Sequence, residues 1–104
     1  MRNTLIVQLP SISELSIDRV IEIEESLIQG FAQNGTATVD GHDFGATANI
    51  FIYPRGSWDR PIEIVLAYLK LKKALDDVLV IKRRKNETYQ VVWPKGFGGE
   101  FERV

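Results

Sequence analysis

A chain of 104 residues, 44% hydrophobic and 26% charged, is sized and composed for one globular domain whose core needs no covalent staple. The formal net charge of −1 gives no overall field that would gather nucleic acid or anionic membrane, and the absence of cysteine excludes disulfides, thiolate metal sites and cysteine nucleophiles. The N-terminal residues hold neither the ~7–15-residue apolar run nor the small-residue cleavage site of a secretory signal, and no stretch approaches the ~18–20 apolar residues of a membrane span, so a cytoplasmic protein is expected.

Residues 4–9 alternate and are rich in β-formers, which predicts a first strand stopped by Pro10. Residues 11–16 read as a loop, with Ser16 or Asp18 as caps for the helix that follows. That helix is expected over residues 18–33. Val20, Ile21, Leu27, Ile28 and Phe31 share one face at 3.6 residues per turn, and Glu22, Glu24, Glu25 and Gln29 fall outside it. Gly30 weakens the last turn by about 1 kcal/mol relative to alanine. Asn34-Gly35 is a stop, because both residues tolerate a left-handed conformation.

A short second strand over residues 36–40 and a third over 46–53 flank a turn at 41–45 with a glycine at each end, which suits a hairpin. In the third strand Ala48, Ile50 and Ile52 point one way and Asn49, Phe51 and Tyr53 the other. A strand apolar on both sides belongs at the centre of a sheet. After Pro54 and a loop over 55–58, Asp59 as cap, Pro61 in the first turn and Glu63 just inside open a second helix that runs to about Leu75. It carries two apolar stripes, Ile62, Val65, Leu66 and Leu69 on one side and Ile64, Tyr68, Leu71 and Leu75 on nearly the other. A strand over 78–84, a turn at 85–87 and a strand over 88–93 complete the pattern. Pro94 stops the last strand, and residues 95–104 are an irregular tail that Phe97 or Phe101 can pin.

The order βαββαββ is that of a ferredoxin-like α+β two-layer sandwich with one added hairpin strand: an antiparallel sheet with two helices on one face, and the third strand beside the first. A meander with the helices packed differently is the alternative. There is no internal repeat and no linker, so residues 1–104 read as a single domain.

Four groups of residues are candidates for a site. Asp40, His42 and Asp43 could orient an imidazole as a base, or ligate a metal, although Asp40-Gly41 is also ordinary turn chemistry and no second histidine exists. The run Lys82, Arg83, Arg84, Lys85 could bind anions, with Tyr89 and Trp93 nearby for stacking, or could simply guard an edge hairpin against pairing. Arg55 and Trp58 have the composition of interface anchors, although Trp58 also fits a staple on its own helix. The second stripe, Ile64, Tyr68, Leu71 and Leu75, is surplus to a helix with one buried face. It is covered by the first helix or the tail, or it is a surface for a partner or a second copy. The glycines around Phe97 lack the spacing of a phosphate loop, and no nucleophile elbow or RNA-recognition signature occurs.

The segments Val-Asp-Gly-His-Asp-Phe-Gly at 39–45, Ala-Asn-Ile-Phe-Ile-Tyr at 48–53 and Glu-Thr-Tyr-Gln-Val-Val-Trp-Pro at 87–94 resemble a family of small bacterial proteins, some of which look like immunity proteins of polymorphic toxin systems. The resemblance covers about residues 39–94, its motifs are mainly structural, and it brings no catalytic residue. The family's acidic loop after the third strand is replaced by Pro54-Arg55-Gly56-Ser57, which is basic. The expectation is a bacterial interaction module, immunity-like, that binds a protein partner or forms a homodimer, without a cofactor, a metal or a membrane. A small-molecule site or small enzyme at Asp40, His42 and Asp43 is the alternative, and RNA binding through Lys82 to Lys85 the third reading.

Overall fold

The computed structural model describes residues 2–9 and 14–104, with residues 14–16 described by backbone alone. The elements are β1 (Thr4–Leu9), α1 (Glu14–Asn34), β2 (Ala37–Phe44), β3 (Ala48–Pro54), α2 (Asp59–Leu71), a 3-10 turn (Leu75–Asp77), β4 (Leu79–Arg83) and β5 (Tyr89–Trp93). The strands form one antiparallel sheet in the order β2-β3-β1-β4-β5. The first four strands and both helices have the expected ferredoxin-like connectivity, and β5 lengthens the sheet by one strand. Pro10 and the loop residues 11–13 lie outside the described residues.

Because side chains alternate along a strand, the sheet has two distinct faces. Leu5 and Val7 of β1 and Ile50 and Ile52 of β3 point to the helices and pack with Leu27 of α1 and Leu69 of α2. Ile6 of β1 and Leu79 and Ile81 of β4 point the other way. Phe97, Phe101 and Val104 of the tail pack on that second face. The tail is therefore a strap across the sheet, and it explains why all six residues of β1 are buried. A polar clasp holds it. Gln8 Nε2 donates to the Glu102 carbonyl at 2.9 Å, and the Glu102 amide donates back to Gln8 Oε1 at 3.2 Å. The same Gln8 Nε2 donates to Asn49 Oδ1 at 2.9 Å, so a buried amide group that would be costly alone is paired.

Several boundaries and one face differ from the expectation. The segment 41–45 is not the turn. A bulge between Val39 and Gly41 absorbs Asp40 as an extra residue, β2 continues to Phe44, and Gly45 to Thr47 make the reversal. Helix α1 begins at Glu14, which places Asp18 inside the helix. Helix α2 ends at Leu71 rather than near Leu75, because Lys73 adopts φ 56° and the Ala74 amide returns to the Leu69 carbonyl. Trp58 occupies its cap position, with Asp59 as the first helical residue. On α1 the buried face holds Val20, Ile23, Leu27 and Phe31, whereas Ile21 and Ile28 are exposed and Glu24 is buried. The two residue sets lie less than a quarter-turn apart, and tertiary packing selected the other arc. The end of α1 is as expected: Gly35 has φ 70° and its amide donates to the Phe31 carbonyl at 2.8 Å.

Candidate functional site at the α1–β2 edge

Of Asp40, His42 and Asp43, only His42 points toward the helices. It pairs with Ile50, which faces the core, while Asp43 pairs with Asn49 on the strap side and accepts a hydrogen bond from Asn49 Nδ2 at 2.9 Å. The bulge isolates Asp40, which is exposed. The three side chains do not converge, because alternation along β2 sends His42 and Asp43 to opposite faces. His42 instead meets a residue the sequence pattern set aside: its Nδ1 lies 2.9 Å from both carboxylate oxygens of Glu24 on α1. A carboxylate only accepts, so Nδ1 carries the proton and Nε2 is the ring atom left toward solvent. The His42 ring stacks obliquely on Phe44, with centroids 5.0 Å apart. The signal for this pair was a glutamate one turn from Val20 and Leu27 on the inward side of a helix.

The expected partner surface on α2 is largely closed. Ile64 is buried, and Tyr68 lies over Gly30 of α1 so closely that a Cβ there would be 1.9 Å from Tyr68 Cε2. Leu75 is half-buried, and its carbonyl accepts the Trp93 indole N–H at 2.8 Å. Only Leu71 stands out, at 73% exposed. Tyr68 makes the stripe's contact with α1, with a glycine in α1 to admit its ring. Trp58 packs against the helix-side core with Lys82 Nζ 5.4 Å from its ring centre. Arg55 is exposed, and its Nε and Nη2 donate to Thr38 Oγ1 at 3.1 and 2.9 Å.

The basic run divides between faces. Lys82 is on the helix side at Trp58. Arg83 is on the strap side, donating to the Val104 carbonyl and the Thr4 hydroxyl. Arg84 donates to Gln90 Oε1 at 2.7 Å, and Lys85 is exposed in the turn. The four cations do not form one patch. The sheet face that could stack bases lies partly beneath the strap, with Tyr89 against Phe101.

Four large hydrophobic side chains are exposed among the described residues: Ile21 at 38%, Ile28 at 46%, Phe44 at 39% and Leu71 at 73%. Three of these four belong to one place. Phe44 touches His42, His42 touches Glu24, and Ile21 and Ile28 lie three and four residues from Glu24 on α1, which puts them beside it on the helix surface. They border β2, an end strand whose outer backbone is unpaired among the described residues. The Glu24–His42 pair thus sits inside an apolar frame on an open strand edge. A groove of about 710 Å³ lies elsewhere, between Leu9, the Arg19–Asp77 ion pair and Trp93. Among the described residues no three histidine or acidic side chains gather as a metal site would require, and no helix is long and apolar enough to cross a membrane.

Comparison with protein-family models, with curated proteins and with solved structures found no match. The fold defines the class: an α+β sandwich whose sheet is covered by two helices on one face and partly by a C-terminal strap on the other.

Proposed function

We propose that the chain is an interaction module that acts by binding a protein partner, along the edge formed by β2 and α1. The observation that supports this is the placement of Ile21, Ile28 and Phe44 together beside an unpaired strand. Exposed apolar side chains scattered singly need no explanation, but a cluster next to free backbone donors and acceptors is a docking surface in type. The exposed rings and branched side chains supply area, and the strand edge supplies register. An immunity-like role, as the sequence resemblance suggests, is one form of this reading. The partner surface expected on α2 is replaced by the α1–β2 edge, because Tyr68 and Ile64 are occupied within the fold.

The test places a photo-reactive phenylalanine analogue at Ile28 or Phe44, with Leu71 as the control, in cells of the native host. A discrete cross-linked protein from the first two positions and not from the third is the expected result. Adducts from Leu71 alone, or none from the edge, would refute the proposal.

A further inference from the structure

The α1–β2 edge has a sign. Between Arg19 and Arg55 the chain contains no lysine or arginine, yet it carries Glu22, Glu24, Glu25, Asp40 and Asp43. These residues build most of α1 and all of β2 and β3. Residues 55–104 hold eleven lysines and arginines against seven acids. Since β2 and β5 are opposite ends of the sheet, folding separates much of the charge: the Asp40–Phe44 end of β2 is acidic, the Thr38 end carries the Arg55 guanidinium, and the side toward β4 and β5 is basic. Part of the acidity is used internally, Glu22 by Lys72 at 2.9 Å and Glu24 by His42. Glu25 and Asp40 are exposed and have no ion-pair partner among the described residues.

We infer, resting on the docking edge proposed above, that its occupant is a cationic segment of another protein, extended along the outer side of β2 and alternating lysine or arginine with apolar residues. An extended segment sends successive side chains to opposite faces. Along β2 the helix-side face offers Phe44, Ile21 and Ile28, and the strap-side face offers the exposed carboxylate of Asp43. At the Phe44 end of β2 one row of incoming side chains meets apolar surface and the other meets Asp43; the Thr38 end carries Arg55, so the segment's cations belong at the Phe44 end. Asp40, at the bulge, and Glu25, on the outer side of α1, extend the field at either flank.

A second copy of this chain fits less well. In the run 82–85 three of the four cations are already seated: Lys82 over Trp58, Arg83 on the Val104 carbonyl and Arg84 on Gln90. A basic edge docking on an acidic edge would also be a head-to-tail contact that repeats without closing.

The experiment titrates two short synthetic peptides into the isotope-labelled full chain and follows the backbone amides by NMR. One peptide alternates lysine with valine, and the other has glutamate in place of each lysine. The lysine peptide is expected to shift amides of β2 and the outer side of α1, and to bind about tenfold or more tightly than the glutamate peptide. The variant D40K with E25K should reverse that preference, and salt at about 0.5 M should weaken the lysine peptide. Both altered residues are exposed, and the variant's amide spectrum reports that it stays folded. Equal affinity of the two peptides at the edge, or no effect of the charge reversal, overturns the cationic occupant while leaving the docking edge standing. No shift at the edge, or shifts confined to β4 and β5, overturns it as well, and the cross-linking result then decides the edge independently. Sedimentation that detects a dimer abolished by Lys85→Glu assigns the edge to a second copy and also overturns the inference.

Discussion

Gly30→Ala should destabilise the protein, although the same change in an ordinary helix interior stabilises by about 1 kcal/mol. A Cβ at this position would lie 1.9 Å from Tyr68 Cε2 and 2.7 Å from Cζ and Oη. Non-bonded carbons sit comfortably at about 3.5–4.0 Å, so the ring must withdraw by roughly 1.5–2 Å. Tyr68, which is part-exposed and lines open grooves, retreats by swinging its ring off α1 and giving up that contact, and overpacking of this kind costs about 1–3 kcal/mol. Set against the helix-propensity gain, the net effect is a loss of about 0–2 kcal/mol. The sharper quantity is the coupling. In a Tyr68→Ala background the obstacle is gone and Gly30→Ala should stabilise by about 1 kcal/mol. A double-mutant cycle should therefore give a coupling of about 1–3 kcal/mol. Urea unfolding of the four proteins, with slopes checked for constancy, measures it. A coupling below about 0.5 kcal/mol, or stabilisation by Gly30→Ala in the wild-type background, would refute the claim that this glycine exists to admit the tyrosine.

The strap makes a second prediction. Ending the chain at Pro94 uncovers Ile6 and Ile81, both 0% exposed, and at about 1.5–3 kcal/mol for each buried side chain the loss should be about 3–6 kcal/mol, with new binding of a hydrophobic dye. A shortened chain that unfolds within about 1 kcal/mol of the full one would mean that the tail is not part of the core. Third, His42→Ala strands the Glu24 carboxylate, whose side chain is only 12% exposed, and should cost about 1–3 kcal/mol in the same assay. Adding Glu24→Leu should recover most of that, because removing both members leaves no unpaired buried group. A double variant no more stable than His42→Ala would refute that origin of the cost.

The architecture was legible where local chemistry and burial agree. The two-sided apolar strand at 49–53, Asn34-Gly35 at the end of α1 and Pro61 in the first turn of α2 each had a physical reason to be where they are, and each is there. What failed depended on distant partners. Asp40-Gly41 has the same composition in a hairpin turn and in a bulge, and only the register against Ile52 and Phe51 separates them. Ile21 and Ile28 fit an apolar face as well as Ile23 does, and the choice of arc was made by β2 and β3, not by the helix. Glu24 read as solvent-facing because its partner is 18 residues away on a strand. Gly30 offered a clue, since a glycine inside a helix that does not end there often marks a close approach. Its partner Tyr68 was visible only as an unexplained second stripe. The clasp between Gln8 and Glu102 spans 94 residues and left no local trace.

With one face under helices and the other partly under the strap, the sheet's two edges are open approaches to its backbone, and these are guarded in different ways. Strand β5 has no lysine or arginine of its own; its guard is its shortness and the basic turn at Arg84 and Lys85 that leads into it. Along β2 stand a bulge and two aspartates, which also deter. Deterrence alone, however, calls for polar neighbours, and β2 has Phe44 with Ile21 and Ile28 alongside. Holding three apolar side chains in water beside an open strand is unfavourable unless something covers them. Acidic groups among them would reject most strands, those that are acidic or uncharged, and admit one of opposite sign. An edge that repels in general and attracts in one case is how a binding surface is kept from becoming an aggregation surface, and that combination favours the docking reading of this edge over a purely defensive one.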